Sequence, residues 1–242
     1  MAKAAKGVKK EMRRVGLIHS TRLVIEPIHR VMALQCPDID FFHLMDEGIL
    51  RKLTASGQIT PEIIQWLAEM VLSAQRAGAD MAVVSCSSLS PCVPAVQKQV
   101  DIPVLRIDAP MMEHAVIHAE RIGLVMTNPT TEAPSKILFQ EVSQKLGRAA
   151  TLVPRLCPHA FAKLNQGDIQ GHDLAVIKTV EELLAEVDVV MLAQISIARV
   201  KDSLPAAIQG RVFSSLDFIA PEINKWAEPQ AIGLRFHPSV LS

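Results

Sequence analysis

The residues best suited to chemistry cluster where an apolar run, Met81-Ala82-Val83-Val84, ends in Ser85-Cys86-Ser87-Ser88-Leu89-Ser90-Pro91. The run is too short for a typical helix and is followed at once by small hydroxyl residues, which predicts a strand-loop-helix junction with Ser90 as N-cap and Pro91 as the first helical residue. A helix start offers unpaired N–H groups and a positive dipole end, both favourable to a thiolate and to a bound anion. Cys86 would then titrate well below the ordinary thiol value of about 8.5 and serve as base or nucleophile. The alternative is a cysteine buried as a small hydrophobe.

The other candidates divide quickly. Of the 4 cysteines, at 36, 86, 92 and 157, none forms a C-x-x-C pair or stands at zinc-site spacing to a histidine, so neither disulfides nor a metal site is expected. Cys92, in the helix after Cys86, is expected in the core. His114 and His118 are four apart on a predicted helix and His43 is on a predicted strand; without an H-E-x-x-H motif they read as surface residues. His19, at the end of the first predicted strand, is a candidate acid/base because imidazole titrates in the working range, or else a packed, hydrogen-bonded histidine.

These side chains need a scaffold, and the chain has the means to build one. Hydrophobic residues make up 49% of the 242 and charged residues 21%, enough for a sizeable core. Lys+Arg and Asp+Glu are both 25, so nothing points to nucleic acid or to an anionic membrane as partner. No run approaches the ~18 apolar residues of a membrane helix, and no signal peptide is evident. A cytoplasmic location is expected. Residues 1–12 are basic and lack an apolar pattern, which predicts a solvated tail.

From Arg13 the pattern alternates: strand Arg13–Ser20, helix Leu23–Leu34, strand Asp38–Met45, a polar connector containing Gly57, and a helix from Thr60-Pro61 to Ala77 closed by Gly78. The Cys86 strand with its short helix follows, then a strand at Ile102–Ile107 and a helix from Ala109 to Glu120. Alternation of this kind predicts a parallel sheet with helices on both faces. Residue 120 begins the order again. Arg121-Ile122-Gly123-Leu124 echoes Arg14-Val15-Gly16-Leu17 at an offset of 107 residues, from position 16 to position 123. A helix Thr131–Leu146, a strand Ala150–Leu156 and a helix Leu174–Glu186 follow. Then Val187–Ser196 lies over Ala79–Ser88 at an offset of 108, from Cys86 to Gln194. Two blocks sharing nearly one offset predict an internal duplication.

The expected fold is therefore α/β, with two pseudo-symmetric, doubly wound lobes of parallel sheet and an active-site cleft between them. Residues 13–119 form the first lobe, 120–208 the second, and 209–242 a strand and helix that close one of the two. Ligands of parallel α/β sheets bind beyond the carboxyl ends of the strands. One wall of the cleft would carry His19, Ser20, Thr21, Cys86, Ser87 and Ser88, and the other Thr127, Asn128, Thr130, Thr131 and Gln194.

The glycine-bearing first strand, Cys86 with its hydroxyl neighbours, the stretch Gly123-Leu124-Val125-Met126-Thr127-Asn128-Pro129-Thr130-Thr131 and the duplication together resemble the aspartate/glutamate racemase superfamily, which includes hydantoin racemases, maleate isomerase and arylmalonate decarboxylase. The resemblance implies cofactor-independent proton transfer at the carbon next to a carboxylate, between two cysteines facing each other across the cleft. Carried over by position, Cys86 is the first cysteine; Ser87 and Ser88 bind a carboxylate or enolate; Thr127, Asn128, Thr130 and Thr131 hold a substrate carboxylate.

The second cysteine's place is held by Gln194, whose amide has no useful pKa near neutrality. His19 or Cys157 would have to supply a second acid/base, or Cys86 acts alone, as in a decarboxylase or double-bond isomerase. A non-catalytic binder of small acids is the alternative outside enzymology. The expected partner is a small carboxylate substrate, with no cofactor, no metal, and a homo-oligomer as an option.

Overall fold

The computed structural model describes residues 12–228. The basic tail expected over residues 1–12 lies outside the described residues except for Met12, as do residues 229–242.

The first sheet contains β1 (Arg14–His19), β2 (Asp40–Met45), β3 (Met81–Val84) and β4 (Val104–Arg106) in the order β2-β1-β3-β4, all parallel. The second contains β5 (Arg121–Met126), β6 (Thr151–Leu156), β7 (Val189–Leu192) and β8 (Val212–Ser214) in the order β6-β5-β7-β8, again parallel. The second sheet thus repeats the strand order of the first. Central strands β1, β3, β5 and β7 are buried on both faces, which is why they read as near-continuous apolar runs. Each chain path leaves its first strand for one neighbour and then crosses to the other side. The loops after β1 and β3, and after β5 and β7, therefore diverge at the point where a parallel sheet opens a crevice.

Helices α1 (Ile25–Gln35), α2 (Glu47–Ser56), α3 (Pro61–Arg76), α4 (Val93–Gln97) and α5 (Ala109–His118) follow in the first half. The second half has α6 (Glu132–Leu146), α7 (Pro158–Asn165), α8 (Ile169–Leu184), α9 (Ala206–Gln209) and α10 (Leu216–Ala227). Helix α3 begins as its sequence predicts: Thr60 Oγ1 accepts from the Ile63 N–H and Pro61 occupies the first turn. Gly78 ends it at φ +89°.

Three expectations require correction. The polar connector is in part helix α2, capped by Asp46 Oδ1 on the Gly48 N–H and ended by Gly57 at φ +67°; only Ile49 and Leu53 of it are buried, a pattern too sparse to see. Helix α7 was not expected at all, and α8 starts at Ile169, capped by Asp168, rather than at Leu174. Ser90 is not an N-cap. A 3-10 turn, Ser87–Cys92, begins directly after Cys86 and contains Pro91, while the Ser90 hydroxyl donates to Asp108 Oδ1 at 2.7 Å.

The terminal helix of each half crosses over. Helix α5 follows β4 in the chain but buries Met111, Met112, Ala115 and Val116 with Ile122, Leu124 and Met126 of β5. Strand β8 completes the second sheet, whereas α10 buries Ile219, Ala220 and Ile223 with Leu17 of β1 and with Ile28 and Met32 of α1. Ile219 and Ile223 are fully buried, and each contributes about 1.5–3 kcal/mol.

Gly16 lets α3 press onto β1: a Cβ there would lie 2.8 Å from Ala74 Cβ, an atom fixed to helix backbone. Gly16→Ala is expected to cost about 1–3 kcal/mol of unfolding free energy through overpacking. Urea denaturation checks this, and an unchanged midpoint would show that α3 yields freely.

Candidate functional site

The loops after β1, β3, β5 and β7 meet around a cavity of about 120 Å³. Ser20 and Thr21 come from the β1 loop, Ser85 to Ser88 from the β3 loop, Thr127, Asn128 and Thr131 from the β5 loop, and Gln194 to Ser196 from the β7 loop. Apolar Leu23, Val24, Leu50 and Leu164 complete it. The walls are tied together: Ser87 Oγ donates to Ala193 O at 3.0 Å, the Ser88 and Thr130 hydroxyls are 3.0 Å apart, and Ile195 is buried in the core of the first half.

Cys86 is half-buried and supplies the thiol of this cavity. Its position just ahead of the 3-10 turn does not make it acidic. Burial pushes the thiol up from its ordinary value, and the nearby Asp108 carboxyl adds to the rise; the Ser20 hydroxyl and the N–H groups of Ser88 and Leu89 pull the other way. Ser20 Oγ meets no partner at full hydrogen-bond geometry, so its effect on the sulfur is that of a nearby dipole rather than a formed bond. The acidic thiolate expected from the sequence is accordingly replaced by a protonated thiol with three groups poised to stabilise its anion. Asp108, unforeseen in the sequence, is 4% exposed behind this loop. Burial raises its carboxyl, the Ser90 bond opposes the rise, and its Oδ2 has no partner.

Opposite, Gln194 is held by its carbonyl end. Oε1 accepts from Thr127 N at 2.8 Å, Thr127 Oγ1 at 3.1 Å and Asn128 N at 3.1 Å. Two of these donors are backbone N–H groups, which fixes the orientation of the amide and leaves Nε2 for a cavity occupant. Asn128 Oδ1 in turn accepts from the N–H and hydroxyl of Thr130. Of the residues expected to hold a substrate carboxylate on this wall, Thr127 and Thr130 thus have their hydroxyls bonded to side-chain amides of the protein itself.

Of the residues singled out by sequence, Cys86, Ser20, Thr21, Ser87, Ser88, Thr127, Asn128, Thr131 and Gln194 border the cavity. Thr130 stands behind, bonded to Ser88. His19 is not on the lining: it is 1% exposed, with Nδ1 2.8 Å from Ser85 Oγ and Nε2 2.8 Å from His43 Nδ1. Cys157 is buried and donates to Thr179 Oγ1, and Cys92 is a core residue whose thiol burial pushes up to about 12. Arg199 is clamped by Asp173 through two nitrogens, and Arg22 is exposed off the lining. Ser85 was missed although it adjoins Cys86, and Leu50 and Leu164 were missed with the helices that carry them.

Residues 19–223 match the family model for Asp/Glu/Hydantoin racemase. Among solved structures, glutamate racemase RacE1 from Bacillus anthracis superposes with a TM-score of 0.68 at 16% identity, over 88% of this chain and 81% of that one. Aspartate racemase from Picrophilus torridus gives 0.65 at 11%, over 89% and 94%. Allantoin racemase from Klebsiella pneumoniae gives 0.63 at 15%, over 93% and 96%. At these identities the likeness is one of fold. No curated protein sequence matches the chain.

Two measurements follow from the electrostatics. Alkylation of Cys86 by a neutral reagent is expected to climb through the ordinary thiol range with no plateau near neutrality, and Ser20→Ala is expected to slow it at fixed pH by removing a group that stabilises the thiolate. A plateau near neutrality in the wild type would mean an acidic thiol after all. For His19, burial and then His43 lower the pKa from 6.5 to about 4. As pH falls through that window the unfolded chain binds a proton that folded His19 does not, so stability drops by roughly 3 kcal/mol. Denaturation midpoints between pH 7 and 4 should lose this component in His19→Asn; an identical pH slope would refute it.

Proposed function

Because the chain belongs to the Asp/Glu/Hydantoin racemase family, we propose that it is a cofactor-independent isomerase in which Cys86 alone moves a proton at the carbon next to the carboxyl group of a small acid. The observation that carries this reading is the asymmetry of the cavity: Cys86 is its ionisable lining side chain among the described residues, and the β7 loop contributes an amide, Gln194, to the same lining. Loss of a proton from that carbon places charge on the adjoining carbonyl oxygen. Gln194 Nε2, with its orientation set by three bonds to Oε1, donates to that oxygen without transferring a proton. Cys86 first gives its own thiol proton to solvent; as the thiolate, steadied by Ser20 and the Ser88 and Leu89 N–H groups, it then takes the substrate proton and returns it from the same face.

Single-face chemistry suits a proton shift between neighbouring carbons, or protonation after loss of carbon dioxide, better than symmetrical inversion. The cavity lining carries no Lys or Arg among the described residues, which favours substrates with one charged group and an apolar remainder packed on Leu23, Val24 and Leu50.

The test is deuterium incorporation from D2O into a panel of small carboxylic acids, followed by NMR. Cys86→Ala is expected to lower exchange at least ~100-fold, and Gln194→Leu to lower kcat by about 100-fold with a smaller effect on KM. Exchange at full rate in Cys86→Ala would remove the thiol from the mechanism. Carbon dioxide release, a shifted double bond or lost optical rotation then tells decarboxylation, isomerisation and racemisation apart, and ligand-induced thermal stabilisation without any exchange would mark a binding protein.

A further inference from the structure

Three histidines far apart in sequence join the cavity wall to the outer surface. His19 ends β1, His43 lies on edge strand β2, and His29 is on α1, which covers that face of the sheet. His19 Nδ1 is 2.8 Å from Ser85 Oγ, His19 Nε2 is 2.8 Å from His43 Nδ1, and His43 Nε2 is 3.2 Å from His29 Nδ1. The rings follow one another end to end at centroid separations of 5.1 and 5.4 Å, and Phe41 meets both His29 and His43 edge-on. Exposure rises along the row, from buried His19 through half-buried His43 to exposed His29. At the inner end, Ser85 borders the cavity beside Cys86.

The hydrogen positions follow from the donors. The Ser85 hydroxyl gives its one proton to Ile18 O at 3.0 Å, so Ser85 Oγ accepts from His19 Nδ1–H. Neutral His19 then presents a lone pair at Nε2, which accepts from His43 Nδ1–H, and His43 Nε2 likewise accepts from His29 Nδ1–H. All three rings share one tautomer, and every bond in the row points inward.

We propose that His29, His43, His19 and Ser85 form a proton path between solvent and the cavity, renewing the proton exchanged at Cys86 while a substrate fills the mouth. A proton arriving at His29 Nε2 releases the one on Nδ1 to His43 Nε2. His43 passes its Nδ1 proton to His19, and His19 passes its own to Ser85 Oγ, which turns its hydroxyl proton from Ile18 O to an acceptor in the cavity. One proton enters, one leaves, and each ring ends in the opposite tautomer, to be reset by the return transfer. Burial keeps His19 neutral at ordinary pH, so the proton crosses this ring and is not stored on it. The use of the path in turnover rests on the proton transfer proposed above; the path itself does not.

The test has two arms on the full chain. In 15N-labelled protein, the His19 ring N–H is expected to exchange with water rapidly by NMR saturation transfer although it is buried. His43→Phe, which keeps an aromatic ring but removes both nitrogens, is expected to slow that exchange at least ~10-fold, leaving only local opening. His29→Leu, at an exposed position, should slow it too and serves if the first variant does not fold. Slow exchange in the wild type, or an unchanged rate in the variants, overturns the proposal. In the second arm, His43→Phe should lower the fraction of solvent deuterium in product relative to turnover with KM unchanged; an unaltered fraction excludes the path from catalysis. Wild-type protein that exchanges the ring proton quickly but turns over no acid would refute the function proposed above and leave the path standing.

Discussion

The crossed burial of α5 and α10 is the constraint on which the rest depends. Each helix follows the last strand of one sheet and is packed into the core of the other half, so neither half completes its apolar surface without a segment of its counterpart. The contact is apolar and extensive, with Ile219, Ile223, Met111 and Met112 all at or near zero exposure. Such packing is intolerant of sliding, because interdigitated side chains lose contacts on small displacements. It holds the carboxyl ends of the two sets of strands against each other. The links from Ser87 to Ala193 and from Ser88 to Thr130 then adjust a cleft whose position the helices have set.

Within that frame the two walls differ in kind. On the first, a thiol made less acidic by burial is surrounded by groups that favour its charged form, so its proton affinity is a balance between desolvation and local dipoles. On the second, a neutral amide is locked by its oxygen. One wall can change protonation state and the other cannot, which gives the cavity a direction for proton movement that two identical thiols would lack.

Much of this was legible in the sequence, for definable reasons. Central strands of a parallel sheet must be apolar on both faces, so Val15–Ile18, Met81–Val84 and Ile122–Met126 announce themselves. The matched offset aligns Gln194 with Cys86, and both residues line the cavity. What the sequence hid depends on contacts that spacing does not encode. Helix α2 buries two side chains of ten residues, too few to mark a period. Chain order makes α5 the neighbour of β4, whereas packing energy sends it to β5. The row of His19, His43 and His29 exists because β1 and β2 pair with Leu17 beside His43, a register no motif records. Cys86 was read as acidic because a helix start was expected there; the short turn that forms instead cannot outweigh burial.

The locked amide of Gln194 also bears on entropy. A loop of small polar residues such as Thr127-Asn128-Pro129-Thr130 would ordinarily sample several conformations and lose them on closing around an anion. Here Gln194 Oε1 and Asn128 Oδ1 satisfy its donors from within the chain, so that conformational freedom is lost at folding and not at binding. The second wall therefore meets its ligand as a rigid surface. Discrimination between ligands rests on shape and on the amide groups of Gln194 and Asn128, with little room for a loop to adapt to the wrong one.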